Sequence, residues 1–340
     1  MQVRVGELFM LGFRGNSPPA WLVDFEARFG LGGVVLFDRD LEQGGRRNVE
    51  SPEQLRSLCA AVHALPSRPL VCIDQEGGRV RRLKTERGFR ELPSAEVFTQ
   101  LAPEEAQRLA EASFAEMSAL GIDIDLAPVV DLNTNPENPN IGAIERSFSD
   151  DPDEVRRCVA IVDAAARRAG VQLCLKHYPG LGGAGTDSHR ELTDVTGRVS
   201  GAQLRLFTEL CASTAGSAIL LSHGIDRQRD PDWPASVSAK VIGELRRDVP
   251  DALLVTDDLQ MQGLRQICST QEASLRALRA GVDLVCIGNN LVAEQSECVE
   301  AAEMLAELAA SDAGFAVTAA SASDRVRQRK DAAAAQRGRV

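Results

Sequence analysis

The chain has 340 residues, of which 44% are hydrophobic and 26% are charged, as expected for a soluble globular protein with one large domain or two modest ones. Its net charge of −11 leaves no broad basic face and argues against nucleic acid as a partner. The first apolar stretch carries Arg4 and Glu7, and no run reaches the roughly 18 apolar residues of a membrane helix. We therefore expect a soluble protein without a signal peptide or a membrane partner.

Eight cysteines occur singly, and no C-x-x-C pair is present, which excludes a zinc ribbon or a thioredoxin-like motif. Cys72, Cys174 and Cys286 lie inside apolar runs, where a reduced cysteine behaves as a small buried hydrophobe. Cysteines that stay reduced are typical of the cytoplasm, which is the location we expect.

Short apolar runs rich in valine, isoleucine and leucine recur along the chain. They are continuous rather than alternating, which is typical of parallel strands covered on both faces. The runs span residues 8–13, 32–37, 69–74, 122–128, 171–177, 218–223, 252–258 and 282–288.

Amphipathic helical segments separate these runs and carry recognisable start and stop signals. Residues 51–54 read Ser-Pro-Glu-Gln, a capping-box pattern, while Asp151, Ser200 and Ser238 open other helices and Gly281 ends one. Eight strand-then-helix units predict a (β/α)8 barrel of the TIM type rather than an open sheet.

The same count predicts a single domain with an extension. We assign residues 1–312 to a (β/α)8 catalytic domain and residues 313–340 to a C-terminal helical extension or partly disordered tail.

Polar residues gather at the carboxyl ends of four predicted strands. Because active sites of such barrels lie on that face, this placement predicts an enzyme. The residues are Asp74, Lys176, His177, His223, Asp257 and Asp258.

A glycine-rich stretch follows the fifth strand and contains G-x-G-x-x-G at residues 180–185. A dinucleotide-binding fingerprint needs its first glycine directly after the strand and a helix opening within the motif, and neither feature is present. We interpret the stretch as a mobile loop whose glycines supply conformational freedom. Asp187 can orient the imidazole of His189 and leave its other nitrogen facing a substrate.

Several segments resemble signatures of glycoside hydrolase family 3, in its β-N-acetylglucosaminidase (β-hexosaminidase) branch. Residues 176–180 and 187–189 resemble K-H-F-P-G-H-G…D-S-H, although Leu181 replaces the second histidine. Three residues also separate Gly142 from Arg146, where that branch usually has one. Further similar segments, in family order, are Asp-Gln-Glu-Gly-Gly-Arg-Val at 74–80, Ala-Pro-Val-Val-Asp at 127–131, Arg-Ser-Phe at 146–148 and Thr-Asp-Asp-Leu at 256–259.

The resemblance implies a retaining exo-β-glycosidase that needs no metal and no cofactor. It implies Asp257 as the nucleophile and His189 with Asp187 as the proton donor. The implied substrate is a small carbohydrate or muropeptide with a terminal N-acetylglucosamine, of the peptidoglycan-recycling type, and we expect a monomer. The implied sugar-binding residues are Asp74, Arg82, Arg146, Lys176 and His177.

Other functions stay open on the sequence alone. The same family contains β-glucosidases and glycoside phosphorylases, and a barrel can bind sugar without turnover. Lys176 at a strand end is also compatible with a class I aldolase. A metal-dependent hydrolase is less compatible, because no H-x-H or H-E-x-x-H occurs.

Overall fold

The computed structural model describes residues 4–186, 191–214, 218–292 and 295–337. Within these ranges eight parallel strands close into a barrel, and each strand coincides with one of the predicted apolar runs, only the fifth extending one residue beyond its run, to Tyr178. The eighth strand closes the barrel by pairing with the first, with Phe9 opposite Val285. The predicted (β/α)8 architecture is therefore confirmed. The strands are β1 (Phe9–Gly12), β2 (Gly33–Leu36), β3 (Leu70–Ile73), β4 (Ile124–Asp125), β5 (Gln172–Tyr178), β6 (Ala218–Leu221), β7 (Leu253–Asp258) and β8 (Leu284–Ile287).

Helices surround the barrel, and a hairpin of Gln75–Gly77 with Val80–Arg81 follows β3. None of the helices in the described ranges is both long enough and apolar enough to cross a membrane. The helices are α1 (Ala20–Phe29), α2 (Pro52–His63), α3 (Ala95–Thr99), α4 (Pro103–Leu120), α5 (Pro152–Ala169), α6 (Gly201–Ser213), α7 (Ala239–Asp248), α8 (Gln262–Arg265), α9 (Thr270–Ala280), α10 (Gln295–Ser311) and α11 (Ala313–Arg337).

The helix boundaries follow the predicted signals. Ser51 accepts a hydrogen bond from the backbone N–H of Gln54 at 3.2 Å, which satisfies one of the unpaired donors at the start of α2. Ser200 and Ser238 cap α6 and α7 in the same way. Gly281 follows α9 with φ of 110°, a left-handed conformation that glycine adopts without steric cost.

Alternate residues of each strand face opposite sides, so two apolar layers form. Met10, Val35 and Cys72 point into the barrel, whereas their neighbours pack against the helices. All eight cysteines are free thiols, and burial raises the pKa of Cys72 well above its ordinary value, which makes that thiol unreactive.

Helix α11 closes the N-terminal end of the barrel. Val326 and Ala333 of this helix join the interior apolar cluster. Between them, the Lys330 ammonium donates to the carbonyl oxygens of Leu31 at 2.7 Å and Ser67 at 3.1 Å, at the entries to β2 and β3. Helix α11 thus covers the base of the barrel within the described residues.

Candidate active site

A cavity of about 340 Å³ opens at the C-terminal end of the barrel. Its floor is formed by interior strand residues such as Met10, Leu126 and Leu220, and its walls by the loops that follow the strands. Asp187 and His189 lie outside the described residues. The six other predicted site residues all line this cavity, namely Asp74, Arg82, Arg146, Lys176, His177 and Asp257.

Asp74 stands at the end of β3 between two cations. Its carboxylate accepts from Lys176 Nζ at 2.7 Å and from Arg82 Nη2 at 2.9 Å. Burial alone would raise the pKa of Asp74, but the charges of Lys176 and Arg82 outweigh burial and hold the pKa well below its usual range. Asp74 is therefore ionised and can accept hydrogen bonds from sugar hydroxyls.

The hairpin after β3 brings Arg82 back to Asp74. Gln75 Oε1 accepts from the backbone N–H of Arg82 and of Leu83, both at 3.0 Å, and this fixes the returning strand. The turn requires glycine at position 77 for two reasons. Gly77 has a φ of 100°, in the left-handed region, and a Cβ at this position would lie 2.0 Å from the carbonyl oxygen of Pro93. The Asp-Gln-Glu-Gly-Gly segment thus builds one wall of the cavity.

Glu76 is a site residue that the sequence analysis did not assign. It binds Arg146 through two hydrogen bonds, of 2.7 and 2.8 Å, and lies 2.5 Å from Lys176 Nζ. Burial would raise the pKa of Glu76, but Arg146 and Lys176 lower it to about 2. The available signal was its spacing of two residues from Asp74, which places both carboxylates on one face of an extended segment.

Lys176 lies between these two carboxylates and is almost fully buried. Burial lowers its pKa, but Asp74 and Glu76 more than compensate, so its pKa is raised above the ordinary value. A Schiff-base lysine needs the opposite shift, because only the neutral amine attacks a carbonyl. The environment of Lys176 therefore argues against the aldolase alternative.

His177 is held on both of its ring nitrogens. Nδ1 lies 2.7 Å from the buried carboxylate of Asp131, and Nε2 lies 3.0 Å from Arg146 Nη2. Because a guanidinium can only donate, Nε2 is the acceptor, and Nδ1 carries the hydrogen that is donated to Asp131. Asp131, which the sequence analysis also left unassigned, thereby fixes the tautomer and orientation of His177.

Arg146 reaches the cavity from the long connection after β4. A guanidinium has five N–H donors, and four hydrogen bonds are present, two to Glu76, one to His177 Nε2 and one to the Asn140 carbonyl at 2.7 Å. One Nη1 hydrogen is therefore left, within the described part of the chain, to donate to a ligand.

The end of β7 places two consecutive aspartates at the cavity. Asp258 accepts from the backbone N–H groups of Gly288 and Gln260, each at 3.0 Å, and so serves the turn after β7. Asp257 Oδ1 accepts only from the N–H of Asp258, at 2.9 Å. Among the described residues, nothing hydrogen-bonds to Asp257 Oδ2, which leaves that oxygen available to a ligand.

The glycine-rich stretch after β5 is bonded to the connection that follows β4. Up to Thr186 it is fastened to the asparagine-rich segment after β4: Asn138 Nδ2 donates to the Leu181 carbonyl at 2.5 Å, and Asn140 Nδ2 donates to the Thr186 carbonyl at 2.6 Å. A Cβ at Gly182 would lie 1.7 Å from the carbonyl oxygen of Leu132. This glycine is therefore needed for the close approach of the two backbones.

Two arginines, Arg39 and Arg79, stand exposed at the rim of the cavity. Within the described ranges neither guanidinium forms an ion pair or a hydrogen bond, whereas the inner cations Arg82, Arg146 and Lys176 are all paired. Leu41, which is 46% exposed, lies on the same rim. The entrance therefore combines positive charge with an apolar surface.

No cluster of three or more His, Cys, Asp or Glu that could hold a metal is found in the described residues.

A (β/α)8 barrel that gathers paired carboxylates and cations around an aspartate at its C-terminal end suits an enzyme that acts on a polar, hydroxyl-rich substrate such as a carbohydrate. Residues 2–318 match the glycosyl hydrolase family 3 N terminal domain, and the chain belongs to that family. It is therefore a glycoside hydrolase, as the motifs predicted.

Named relatives agree with this assignment. A beta-hexosaminidase of Photobacterium profundum is 32% identical over 289 residues, covering 83% of this chain and 81% of the relative. A beta-hexosaminidase of Alkalilimnicola ehrlichii is 34% identical over 76% of this chain and 74% of the relative. The solved beta-N-acetylhexosaminidase of Beutenbergia cavernae superposes with a TM-score of 0.84 at 29% identity, covering 97% of this chain and 98% of that one.

Proposed function

We propose that this glycoside hydrolase is a retaining exo-β-N-acetylglucosaminidase with Asp257 as its nucleophile. The observation that carries the proposal is the state of the carboxylates lining the cavity. Asp74 and Glu76 are paired with cations, Asp38 with Lys84 at 2.9 Å, and Asp258 accepts two backbone N–H groups. Asp257, at the end of β7, has an oxygen that no described residue hydrogen-bonds, and this oxygen can attack an anomeric carbon.

The ion pairs of Asp74 and Glu76 also support a proton donor other than these two carboxyl groups. A lowered pKa keeps Asp74 and Glu76 ionised at neutral pH, so neither has a proton to give to a leaving oxygen. We assign that role to His189, oriented by Asp187, as the family resemblance implies. In the first step Asp257 bonds to the anomeric carbon while His189 protonates the departing oxygen. In the second, water attacks the same carbon, His189 takes its proton, and the bond to Asp257 breaks to release the sugar and restore the carboxylate.

The inner polar residues suit a terminal sugar. Asp74 accepts from hydroxyl groups, while Lys176 and the remaining Nη1 hydrogen of Arg146 donate to hydroxyl or amide oxygens. These residues converge on a single cavity of about 340 Å³, a volume that suits a terminal sugar and its immediate neighbour better than a long chain. We therefore propose exo action from the non-reducing end.

The rim supports an aglycone of the peptidoglycan-recycling type. Arg39 and Arg79 favour a partner that carries carboxylates, and Leu41 offers an apolar contact. An N-acetylglucosaminyl anhydro-muramic acid has such a carboxylate, whereas chitobiose is neutral. We expect kcat/KM for the muramyl disaccharide to exceed kcat/KM for chitobiose. Arg79→Gln should lower the ratio of these two values, because it removes a positive charge from the rim. Arg205→Gln, an exposed arginine on α6 away from the cavity, is the control.

Release of 4-nitrophenol from aryl glycosides tests the assignment directly. The β-N-acetylglucosaminide should be hydrolysed much faster than the β-glucoside and the β-xyloside, and phosphate should not accelerate the reaction. A preference for the glucoside, a strict need for phosphate, or no turnover of any glycoside would contradict the proposal in favour of a β-glucosidase, a phosphorylase or a sugar-binding barrel. Cleavage inside a chitin oligomer without release of a terminal sugar would contradict exo action.

A further inference from the structure

His223 is a buried strand-end residue without a role in the proposed function. It lies two residues after β6, is 1% exposed and does not line the cavity. Its Nδ1 lies 2.6 Å from the hydroxyl of Ser236, and its Nε2 lies 2.8 Å from the backbone carbonyl oxygen of Asp258. A carbonyl oxygen only accepts, so Nε2–H is the donor to Asp258, and the Ser236 hydroxyl donates to Nδ1.

The imidazole of His223 bonds to the backbone of β7 beyond the point where the register with β6 ends. The backbone pairing of β6 with β7 ends where Leu221 lies opposite Thr256. Asp257 and Asp258 extend beyond that point, so on this side β6 offers their backbone no further register partner. On the other side β8 continues, with Cys286 opposite Asp258 and accepting from the N–H of Leu259 at 2.9 Å. The His223 side chain therefore bonds to the backbone of β7 on the side that faces β6, next to the proposed nucleophile.

Asp258 connects His223 to Asp257 through two hydrogen bonds. Asp258 accepts from His223 with its carbonyl oxygen and donates with its N–H to Asp257 Oδ1 at 2.9 Å. Loss of the donor to this half-buried carbonyl is costly, so the backbone of Asp258 would shift to find another partner. Such a shift would move the N–H that aims the Asp257 carboxylate.

We infer that His223 is a positioning residue for Asp257, an inference that rests on the proposed function. It fixes the peptide that carries the nucleophile and does not touch the substrate. The hydrogen bonds from Ser236 to His223 and from His223 to Asp258 therefore contribute to the rate of glycoside hydrolysis.

The test compares His223→Leu with His223→Gln. Leucine removes both ring nitrogens, whereas the glutamine amide keeps an N–H donor near the position of Nε2. For the 4-nitrophenyl substrate we expect His223→Leu to lower kcat/KM by about 10- to 100-fold, the scale of a misplaced reacting group, and His223→Gln to recover most of the loss. The inhibition constant of N-acetylglucosamine should stay unchanged in both, because the sugar-binding residues are untouched. His63→Leu is the control, since His63 binds Asp123 at the barrel base at 2.9 Å.

Three results overturn the inference alone. The first is a wild-type kcat/KM in folded His223→Leu. The second is a parallel loss of kcat/KM and of N-acetylglucosamine affinity in His223→Leu that His223→Gln does not recover. The third is an equal effect of His223→Leu on the rate in the wild-type and Asp257→Ala backgrounds. If His223 acts through Asp257, His223→Leu should have no further effect on the residual rate of Asp257→Ala. A wild-type rate in Asp257→Ala by itself would instead overturn the proposed function, and this inference with it.

Discussion

Replacing Glu76 by glutamine tests how strongly the cavity depends on its buried ion pairs. The Glu76 side chain is 4% exposed and binds Arg146 and Lys176. A fall of its pKa from 4.5 to about 2 corresponds to roughly 3 kcal/mol, at about 1.4 kcal/mol for each pH unit. Breaking a buried pair by removing one partner costs a similar amount, about 3–5 kcal/mol. We therefore expect Glu76→Gln to lose about 3 kcal/mol of stability at pH 7.

For a chain of 340 residues, the usual unfolding entropy of about 2.1 cal/mol/K per residue converts this loss into a fall of about 4 °C in Tm. Because the pKa of Glu76 is lowered on folding, its contribution is complete above about pH 4.5 and is lost as the pH falls towards 2. The difference in Tm between wild type and Glu76→Gln, measured by calorimetry from pH 7 down to pH 3, should shrink accordingly.

Glu209→Gln is the matched control, since Glu209 also binds an arginine, Arg156 at 2.7 Å, but with side chains 49% and 38% exposed. An exposed pair contributes about 0–1 kcal/mol, so its Tm should change by about 1 °C or less. Equal changes in the two variants, or a Glu76→Gln difference that does not vary with pH, would refute the reasoning.

Three further predictions concern the site. Asp257→Ala should lower kcat by at least about three decades, as measured by 4-nitrophenol release; a larger loss in Asp258→Ala would show that the other aspartate is the nucleophile. His189→Ala should slow aryl glycosides with poor leaving groups far more than those with good ones, and Asp187→Ala should show a milder form of the same defect. Identical leaving-group slopes for wild type and His189→Ala would contradict the assignment. Gly182→Ala should reduce Tm, because its Cβ would collide with the Leu132 carbonyl and relieving such overpacking costs about 1–3 kcal/mol; an unchanged Tm would show that this loop has room to move.

The barrel could be predicted from the sequence because its signal is local. Each strand lies in or overlaps an apolar run, and several helices begin at a capping serine or aspartate, so eight units could be counted without knowing any contact. Asp74, Lys176 and Asp257 followed from the same pattern, since the ends of parallel barrel strands share one face.

The partners of these residues could not be predicted in the same way. Asp131 and His177 are 46 positions apart, and Glu76 and Arg146 are 70 apart, so their pairing depends on how the loops fold over the barrel. Gly182 shows the same limit, because glycine in a sequence is compatible both with a flexible loop and with a tight backbone approach. Only the position of Leu132 decides between them.

The placement of α11 has a consequence for the order in which the molecule can be completed. A ribosome makes the chain from its N-terminus, so all eight strands are synthesised before residues 313–337. Until Val326 and Ala333 arrive, the lower apolar layer of the barrel has no cover against water, and the carbonyls of Leu31 and Ser67 lack the ammonium of Lys330. Contacts between residues that are about 300 positions apart form slowly. The apolar residues that α11 covers are therefore the last part of the interior to gain their partners, and they stay exposed until the end of the chain has been made.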